Sequence, residues 1–368
     1  MGFTNTIKTS FLILSDTHGK DHIMPNVSVD VAIHCGDITD ESKLEEYRSS
    51  LELLKSIDAP LKLVIAGNHD WSLEESAYQR LTAEAITRPD IGPELVRKKY
   101  GDFGQARQLF SEDQSITFLD EGIHTFLLQN GANLTVYASP FTPSPEAAMG
   151  FQFKLNDEHN FSISPPDSNK RVDVAITHDP PKGVLDRTAS NKRGGCEELF
   201  AAIAKARPRL HCFGHIHESW GAKLVTWRGK EGTTTTTTPS HFTEIDNGAS
   251  KLIDSVASYK PRKLEREDHT KDRKKRKEQL FRDGFRSTSH CANDENPLVA
   301  GQQTLFVNAA LELSPEDEDP DAREMVPWIV ELDLPSAYKR REGMERVVLT
   351  TGKHSENNTG GGWQLRRP

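Results

Sequence analysis

Apolar residues along the first two-thirds of the chain alternate between short continuous runs and helical spacing. The runs at 9–14 (TSFLIL), 29–35 (VDVAIHC) and 61–66 (LKLVIA) meet polar residues at Ser15-Asp16, Gly36-Asp37 and Gly67-Asn68. Between the second and third, residues 41–57 place Leu44, Tyr47, Leu51 and Leu54 on one helical face, with Asp40 as the expected N-cap. Short apolar runs separated by helices predict βαβ units around a buried sheet. A polar helical stretch follows over roughly 73–108.

The middle of the chain changes to hairpin spacing. Runs at 124–129 and 134–138 flank Asn130-Gly131, a pair suited to a type I′ turn. Residues 172–177 (VDVAIT) predict a strand ending at His178-Asp179, 196–205 a helix, and 210–213 the strand it feeds. Residues 224–227 are expected to pair antiparallel with the continuation of that strand. Strand pattern returns at 304–309 (TLFVNA) and 328–332 (WIVEL), across an acidic loop at 316–321.

Between these lies a compositional break. From about 232 to 297 apolar periodicity thins, with a threonine tract at 233–238 and a basic run (KDRKKRK) at 271–277. The stretch predicts an exposed insertion, partly disordered or a solvated helix, whose deletion the protein should tolerate. The expected organisation is one domain over 7–340, interrupted there, with 341–368 as an unstructured tail.

Composition narrows the function classes. The chain has 368 residues, with 46 Lys+Arg against 55 Asp+Glu, a formal charge of −9. A mean hydropathy of −0.62 leaves room for solvated segments, and because no stretch approaches eighteen apolar residues no membrane span is expected. The acidic balance, and the Asp and Glu interleaved with the basic run, disfavour nucleic acid as a partner. Cys35, Cys196, Cys212 and Cys291 are scattered, which disfavours a disulfide framework and suits a cytoplasmic setting. Nuclear import through the basic run is the lesser reading. Met1-Gly2 opens a bare N-myristoylation pattern, which the nearby first strand disfavours.

The polar residues at the strand ends carry the chemistry. Asp16-x-His18, Gly36-Asp37, Gly67-Asn68-His69-Asp70, His178 and Gly214-His215-x-His217 are Asp, Asn and His on five separate loops. Loops at the C-terminal ends of strands in an open α/β sheet converge on one crevice. Three carboxylate or amide oxygens and four imidazoles exceed the needs of one ion and suit two, with one carboxylate bridging. Mixed oxygen and imidazole donors fit Mn²⁺, Fe or Zn²⁺ better than Ca²⁺ or Mg²⁺. The i, i+2 pairs Asp16/His18 and His215/His217 would face one side from extended backbone.

In this order, the set DxH, GD, GNHD, H and GHxH resembles the calcineurin-like metallophosphoesterase superfamily. SDTHG (15–19), ITHDPPKGVLD (176–186), GCEEL (195–199), FGHIHE (213–218) and FVNA (306–309) look like its brain-type metallophosphoesterase-domain branch. The resemblance implies a four-layer α/β/β/α sandwich of two mixed β-sheets, with a dinuclear metal site at the sheet edge. It implies that Asp16, His18 and His217 hold one metal, that Asn68, His178 and His215 hold the other, and that Asp37 bridges. His69 would be the catalytic acid and Asp40 the residue orienting it.

A water shared by two such ions would supply hydroxide at neutral pH. The protein-phosphatase branch carries an arginine in runs such as GDxxDRG and RGNHE, whereas residues 36–41 here read GDITDE and 66–70 read AGNHD. The expected substrates are therefore small phosphodiesters, cyclic nucleotides included. Arg187 and Arg193 are candidates to supply the missing cation. The alternatives are a phosphomonoesterase or protein phosphatase, and a non-catalytic scaffold of the same fold.

Overall fold

The computed structural model describes residues 5–337 apart from 90, 156, 164–170, 230–237, 262–263 and 313–323. Most of the threonine tract, the acidic loop, the acylation pattern's first residues and the tail at 341–368 therefore lie outside the described residues.

The three leading apolar runs form β1 (Thr6–Leu14), β2 (Val31–His34) and β3 (Leu61–Val64), parallel neighbours in one sheet. The helix between β2 and β3 is α1 (Leu44–Ser56), and Lys43, not Asp40, is its N-cap residue. Glu46 tightens that turn, its carboxylate accepting from the N–H groups of Glu41 and Lys43 at 3.0 Å each. The polar stretch resolves into α2 (Glu75–Ile86), α3 (Pro93–Tyr100) and α4 (Gln105–Glu112), followed by the short strand β4 (Thr117–Phe118) beside β3.

The hairpin is β5 (Gly122–Leu127) and β6 (Asn133–Ser139), antiparallel. Its turn is not type I′. Gly131 has a positive φ of 87°, whereas Asn130 is outside the left-handed region and its side chain accepts from the Ala132 N–H. A two-strand ribbon, β7 (Thr142–Ser144) with β8 (Gln152–Lys154), precedes β9 (Val174–Thr177), α5 (Glu197–Ala206) and β10 (Leu210–Phe213).

Next come β11 (Gly221–Trp227), the short helix α6 (His241–Glu244), β12 (Ile245–Ser255), α7 (Glu267–Asp283) and β13 (Arg286–Ser289). The chain then forms β14 (Gln303–Asn308) and β15 (Trp328–Pro335). The strand β11 pairs antiparallel with β14 and β12, not with the continuation of β10 as the sequence suggested. The reason is that β14 inserts between β10 and β11, parallel to β10.

Two mixed sheets result, in the orders β13-β15-β1-β2-β3-β4 and β12-β11-β14-β10-β9-β6-β5. They pack face to face through one core in which Phe11, Ile13, Ile33 and Leu63 meet Val136, Ile176, Cys212 and Val307. The alternate residues of the same strands face outward. Leu12 and Leu14 pack with Tyr47, Leu51, Leu54 and Phe110, while Ala175, Phe213 and Phe306 pack with Leu199, Phe200 and Ile203. Because both faces of these strands are covered, they read as continuous apolar runs. The fold is the α/β/β/α sandwich that the resemblance implied.

The stretch expected to be an exposed insertion is built into both sheets. Its strand β12 forms the edge of one sheet and β13 the edge of the other, and α7 lies between them in the chain. Leu280 of α7, together with Val256 and Tyr259, joins the central core. Arg273 is buried on the same helix, with Nε 3.0 Å from Glu265 Oε2. Its low hydropathy has a physical cause: β12 is an edge strand that buries only Ile245 and Asp254, and α7 buries only Arg273 and Leu280.

Candidate metal centre

The strands β1, β2, β3, β9 and β10 deliver their following loops to one edge of the sandwich. The loops are tied to one another by backbone. Asp16 N–H donates to Gly36 O at 3.0 Å, His18 N–H to Asp37 O at 3.1 Å, and Gly214 N–H to His178 O at 3.1 Å. Asp70, buried and outside the donor set, fastens two of them. Its carboxylate accepts from the N–H groups of Gly67 (2.8 Å), Ile38 (3.1 Å) and Thr39 (2.9 Å), and from Thr39 Oγ1 (2.7 Å). Burial and the neighbouring Asp37 charge push the Asp70 carboxyl up to about 6.

Extended backbone does not orient the DxH and GHxH pairs. Asp16 (φ 56°), His18 (50°), Asp37 (52°) and His215 (66°) are all left-handed, a conformation that L-residues hold only when their surroundings enforce it. Glycine allows the close approach. A Cβ at Gly214 would strike the Asp16 carboxylate and Ser15 Oγ, and one at Gly67 would strike Asp37.

All seven donor residues come together. Asp16, His18 and His217 offer ligand atoms within 4.8 Å of one another, and so do Asp37, His178 and His215. Asp37 links the two groups, because it also clusters within 4.8 Å with His18 and His69. Asn68 places Oδ1 3.1 Å from His178 Nε2, its amide nitrogen being turned to Met149 Sδ at 3.4 Å. His178 bonds the Cys35 carbonyl through Nδ1 (2.9 Å), so its Nε2 faces the site.

The spacing of these atoms suits metal binding. Two donors about 2.1 Å from one ion, at angles of 90–109°, lie roughly 3.0–3.4 Å apart. Asp16–His217 at 3.3 Å, Asp37–His178 at 3.1 Å and Asn68–His178 at 3.1 Å all fall in that range. Both ring nitrogens of His18 are buried with no hydrogen-bond partner. A buried polar group left so requires explanation, and a cation at this edge supplies one.

Electrostatics points the same way. Burial alone would raise the Asp16 carboxyl, but the hydrogen bond and charge of His217 hold it below the usual carboxylate range. Burial likewise opposes ionisation of Asp37, yet His178 holds it low by charge and hydrogen bond. Reciprocally, His178 is raised to about 10 despite its burial, through Asp37. His215 is lowered to about 4 by burial and by the His178 charge. Two buried anions against four imidazoles form a donor set that fits divalent cations.

His69 also reaches this edge, within 4.8 Å of His18 and Asp37, but its ring has a bond of its own. Its Nδ1 lies 2.6 Å from the main-chain carbonyl of Asp40 and 3.7 Å from the Asp40 carboxylate. Asp40 therefore holds this ring through its backbone, and the expected side-chain contact is longer. Burial lowers the His69 pKa, but Asp37 and the Asp40 carbonyl outweigh it and the net shift is upward.

The two arginines named as possible replacements are committed elsewhere. Arg187 bonds Asn191 Oδ1 at 2.6 Å, and Arg193 pairs with the buried Asp186 at 2.5 Å. Asn308 of the FVNA segment braces the GHxH turn, donating from Nδ2 to Ile216 O at 3.0 Å. One acidic residue reaches this edge from outside every motif. Glu312 sits with Oε2 3.2 Å from His18 Nε2, on the loop after β14, a parallel strand whose end the motif pattern did not mark.

A family model, calcineurin-like phosphoesterase, matches residues 9–219. The chain belongs to this family. Human metallophosphoesterase domain-containing protein 1 is 30% identical over 233 residues, covering 62% of this chain and 64% of that protein. A probable rhamnogalacturonate lyase C of Emericella nidulans is 30% identical over 216 residues, 58% of this chain and 18% of that protein. A probable glycerophosphodiester phosphodiesterase GpdQ of Arcobacter nitrofigilis is 33% identical over 113 residues, 27% of this chain and 41% of that protein. The chain thus spans less than two thirds of each of these relatives. All of β11 and everything after it, including β12, α7 and β13 to β15, lie beyond the residues that the family model matches.

Proposed function

We propose that this calcineurin-like phosphoesterase chain is a two-metal hydrolase of small phosphodiesters, cyclic nucleotides included. The observation that carries the reading is the pair of donor groups linked by Asp37, with His18 of the first group buried and unpartnered. Asp16, His18 and His217 would hold one ion and Asn68, His178 and His215 the other, with Asp37 shared. Mn²⁺, Fe and Zn²⁺ suit that donor mix. Bound there, the pair would supply Lewis-acid polarisation of the phosphoryl oxygens and a nucleophile at neutral pH.

The chain's own contribution to bond cleavage is the proton. With Nδ1 engaged by the Asp40 carbonyl, His69 presents Nε2 to the site, and its raised pKa favours the imidazolium. That Nε2–H is the proton given to the departing alkoxide oxygen. Asn68 is a neutral donor and adds no anion facing the phosphate.

Preference for diesters is supported by charge. A phosphomonoester dianion gains most from a bidentate guanidinium, and Arg187 and Arg193 are both held in local pairs. Beside His18 the Lys20 ammonium is already paired with Glu312, and the Asp40 carboxylate lies 3.7 Å from both His18 and His69. A singly charged diester meets less repulsion there. A cytoplasmic setting is supported by four free cysteines.

The test is kcat/KM of the Mn²⁺-loaded protein on aryl phosphodiesters, 3′,5′- and 2′,3′-cyclic nucleotides and aryl phosphomonoesters. Higher values for the diesters are expected. A clear advantage for the monoesters overturns the diester reading. No hydrolysis of any ester with two metals bound returns the scaffold alternative.

A further inference from the structure

We propose that Glu312 is an additional carboxylate ligand at the first metal position, completing the set formed by Asp16, His18, His217 and Asp37. The inference rests on the two-metal reading and extends it to a sixth strand end.

Three observations converge on Glu312. The first is placement. The loop after β14 is stitched to the DxH loop, with Leu311 N–H donating to Ser15 O at 2.9 Å and Ser15 bridged to Ala310. Met325 N–H donates to Leu311 O at 2.7 Å from the other side, so Glu312 leaves a backbone pinned next to Asp16.

The second is direction. Glu312 Oε2 lies 3.2 Å from His18 Nε2, and the His18 side chain is only 3% exposed. The contact lacks hydrogen-bond geometry, since both His18 ring nitrogens are without a partner. Two atoms that close without pointing at each other have the separation of two donors to one cation, the same separation found for Asp16 and His217.

The third is the strap. Lys20, two residues after His18, takes the other oxygen, Oε1. That leaves Oε2 as the oxygen turned to the site, fixing one monodentate donor. A surface ion pair with Lys20 alone would not account for a carboxylate oxygen 3.2 Å from a buried imidazole that it does not hydrogen-bond.

The test is equilibrium binding of Mn²⁺ to the full chain, followed by elemental analysis and by the electron paramagnetic resonance of free Mn²⁺. The variants are Glu312→Gln, Glu312→Asp and, as reference, His18→Ala. Circular dichroism confirms that each is folded. Glu312→Gln should weaken one of two sites by about tenfold or more and leave the other unchanged. Glu312→Asp keeps the charge but withdraws the oxygen, and should weaken the same site.

Two results overturn the proposal. If Glu312→Gln binds both ions within threefold of the parent, Glu312 is no ligand. If Glu312→Gln weakens a site and Glu312→Asp does not, its effect is through charge alone. In either case a loss of one ion in His18→Ala leaves the two-metal reading standing. Retention of two ions in His18→Ala instead overturns that reading.

Discussion

The donor edge and the arm spanning residues 238–297 are built from opposite materials. At the donor edge short loops leave strands buried on both faces, and polar residues are held in left-handed backbone by bonds from neighbouring loops. Asp70 alone fastens two of these loops through four bonds. The arm is the reverse. It exposes one face of an edge strand and most of a charged helix, and is fastened by a few side chains, chiefly Val256, Tyr259 and Leu280. Precise positions come from over-determined loops on a rigid scaffold, whereas closing a sheet edge requires only a ladder and a few apolar anchors.

The most severe way to break this contrast is to remove the arm. Joining residue 232 to 297 by a short Gly/Ser linker deletes β12, α7 and β13, exposing the edges of β11 and β15. It also uncovers Trp220, which stacks on Trp328 at 4.8 Å and contacts Tyr259. The deletion product is expected to be insoluble or molten by near-UV circular dichroism. A folded, active product would restore the reading of this segment as a dispensable insertion.

A gentler change separates the two regions. Leu280→Ala removes a buried side chain of α7 and should cost about 2–5 kcal/mol in denaturant unfolding. The metal content per chain and the kcat of the folded fraction should stay at the parent's values. Loss of bound metal in the folded variant would mean that the arm shapes the donor edge after all.

The smallest expected effect reads the core beneath the edge. His211 is fully buried, with Nε2 2.8 Å from Thr177 Oγ1, and burial lowers it to about 3. Unfolded, it would titrate near 6.5, so the unfolded state binds the extra proton between those values. Its contribution is complete above about pH 6.5 and is lost as pH falls towards 3, by up to a few kcal/mol. His211→Leu should flatten the stability–pH curve across that window. An unchanged slope would show that His211 is not what makes the fold acid-sensitive.

The two regions also differed in how much the chain revealed. Runs such as TSFLIL became β1, and Leu210–Phe213 became β10 with the expected bounds, because strands covered on both faces cannot hide their hydropathy. The seven candidate donors were legible because each follows such a strand. Glu312 was not, since Ala310-Leu311-Glu312 carries no distinctive spacing and gains its place only through the parallel pairing of β14 with β10. The arm was misread because edge strands and a helix with two buried residues lack periodicity strong enough to register. Asp40, read both as a helix cap and as the residue orienting His69, is not the cap. Its bond to His69 comes from a main-chain carbonyl, which any residue at that position would supply.

The central claim is that Asp37 is shared by two ions while His69 binds none and gives the proton. Its most direct test is elemental analysis of metal-equilibrated parent, Asp37→Asn and His69→Ala proteins, with kcat measured on the same samples against one aryl diester. The account predicts two metals per chain in the parent and in His69→Ala, fewer in Asp37→Asn, and kcat lowered about 10²–10⁴-fold in His69→Ala. Equal metal loss in both variants, or two metals retained in Asp37→Asn, would contradict it.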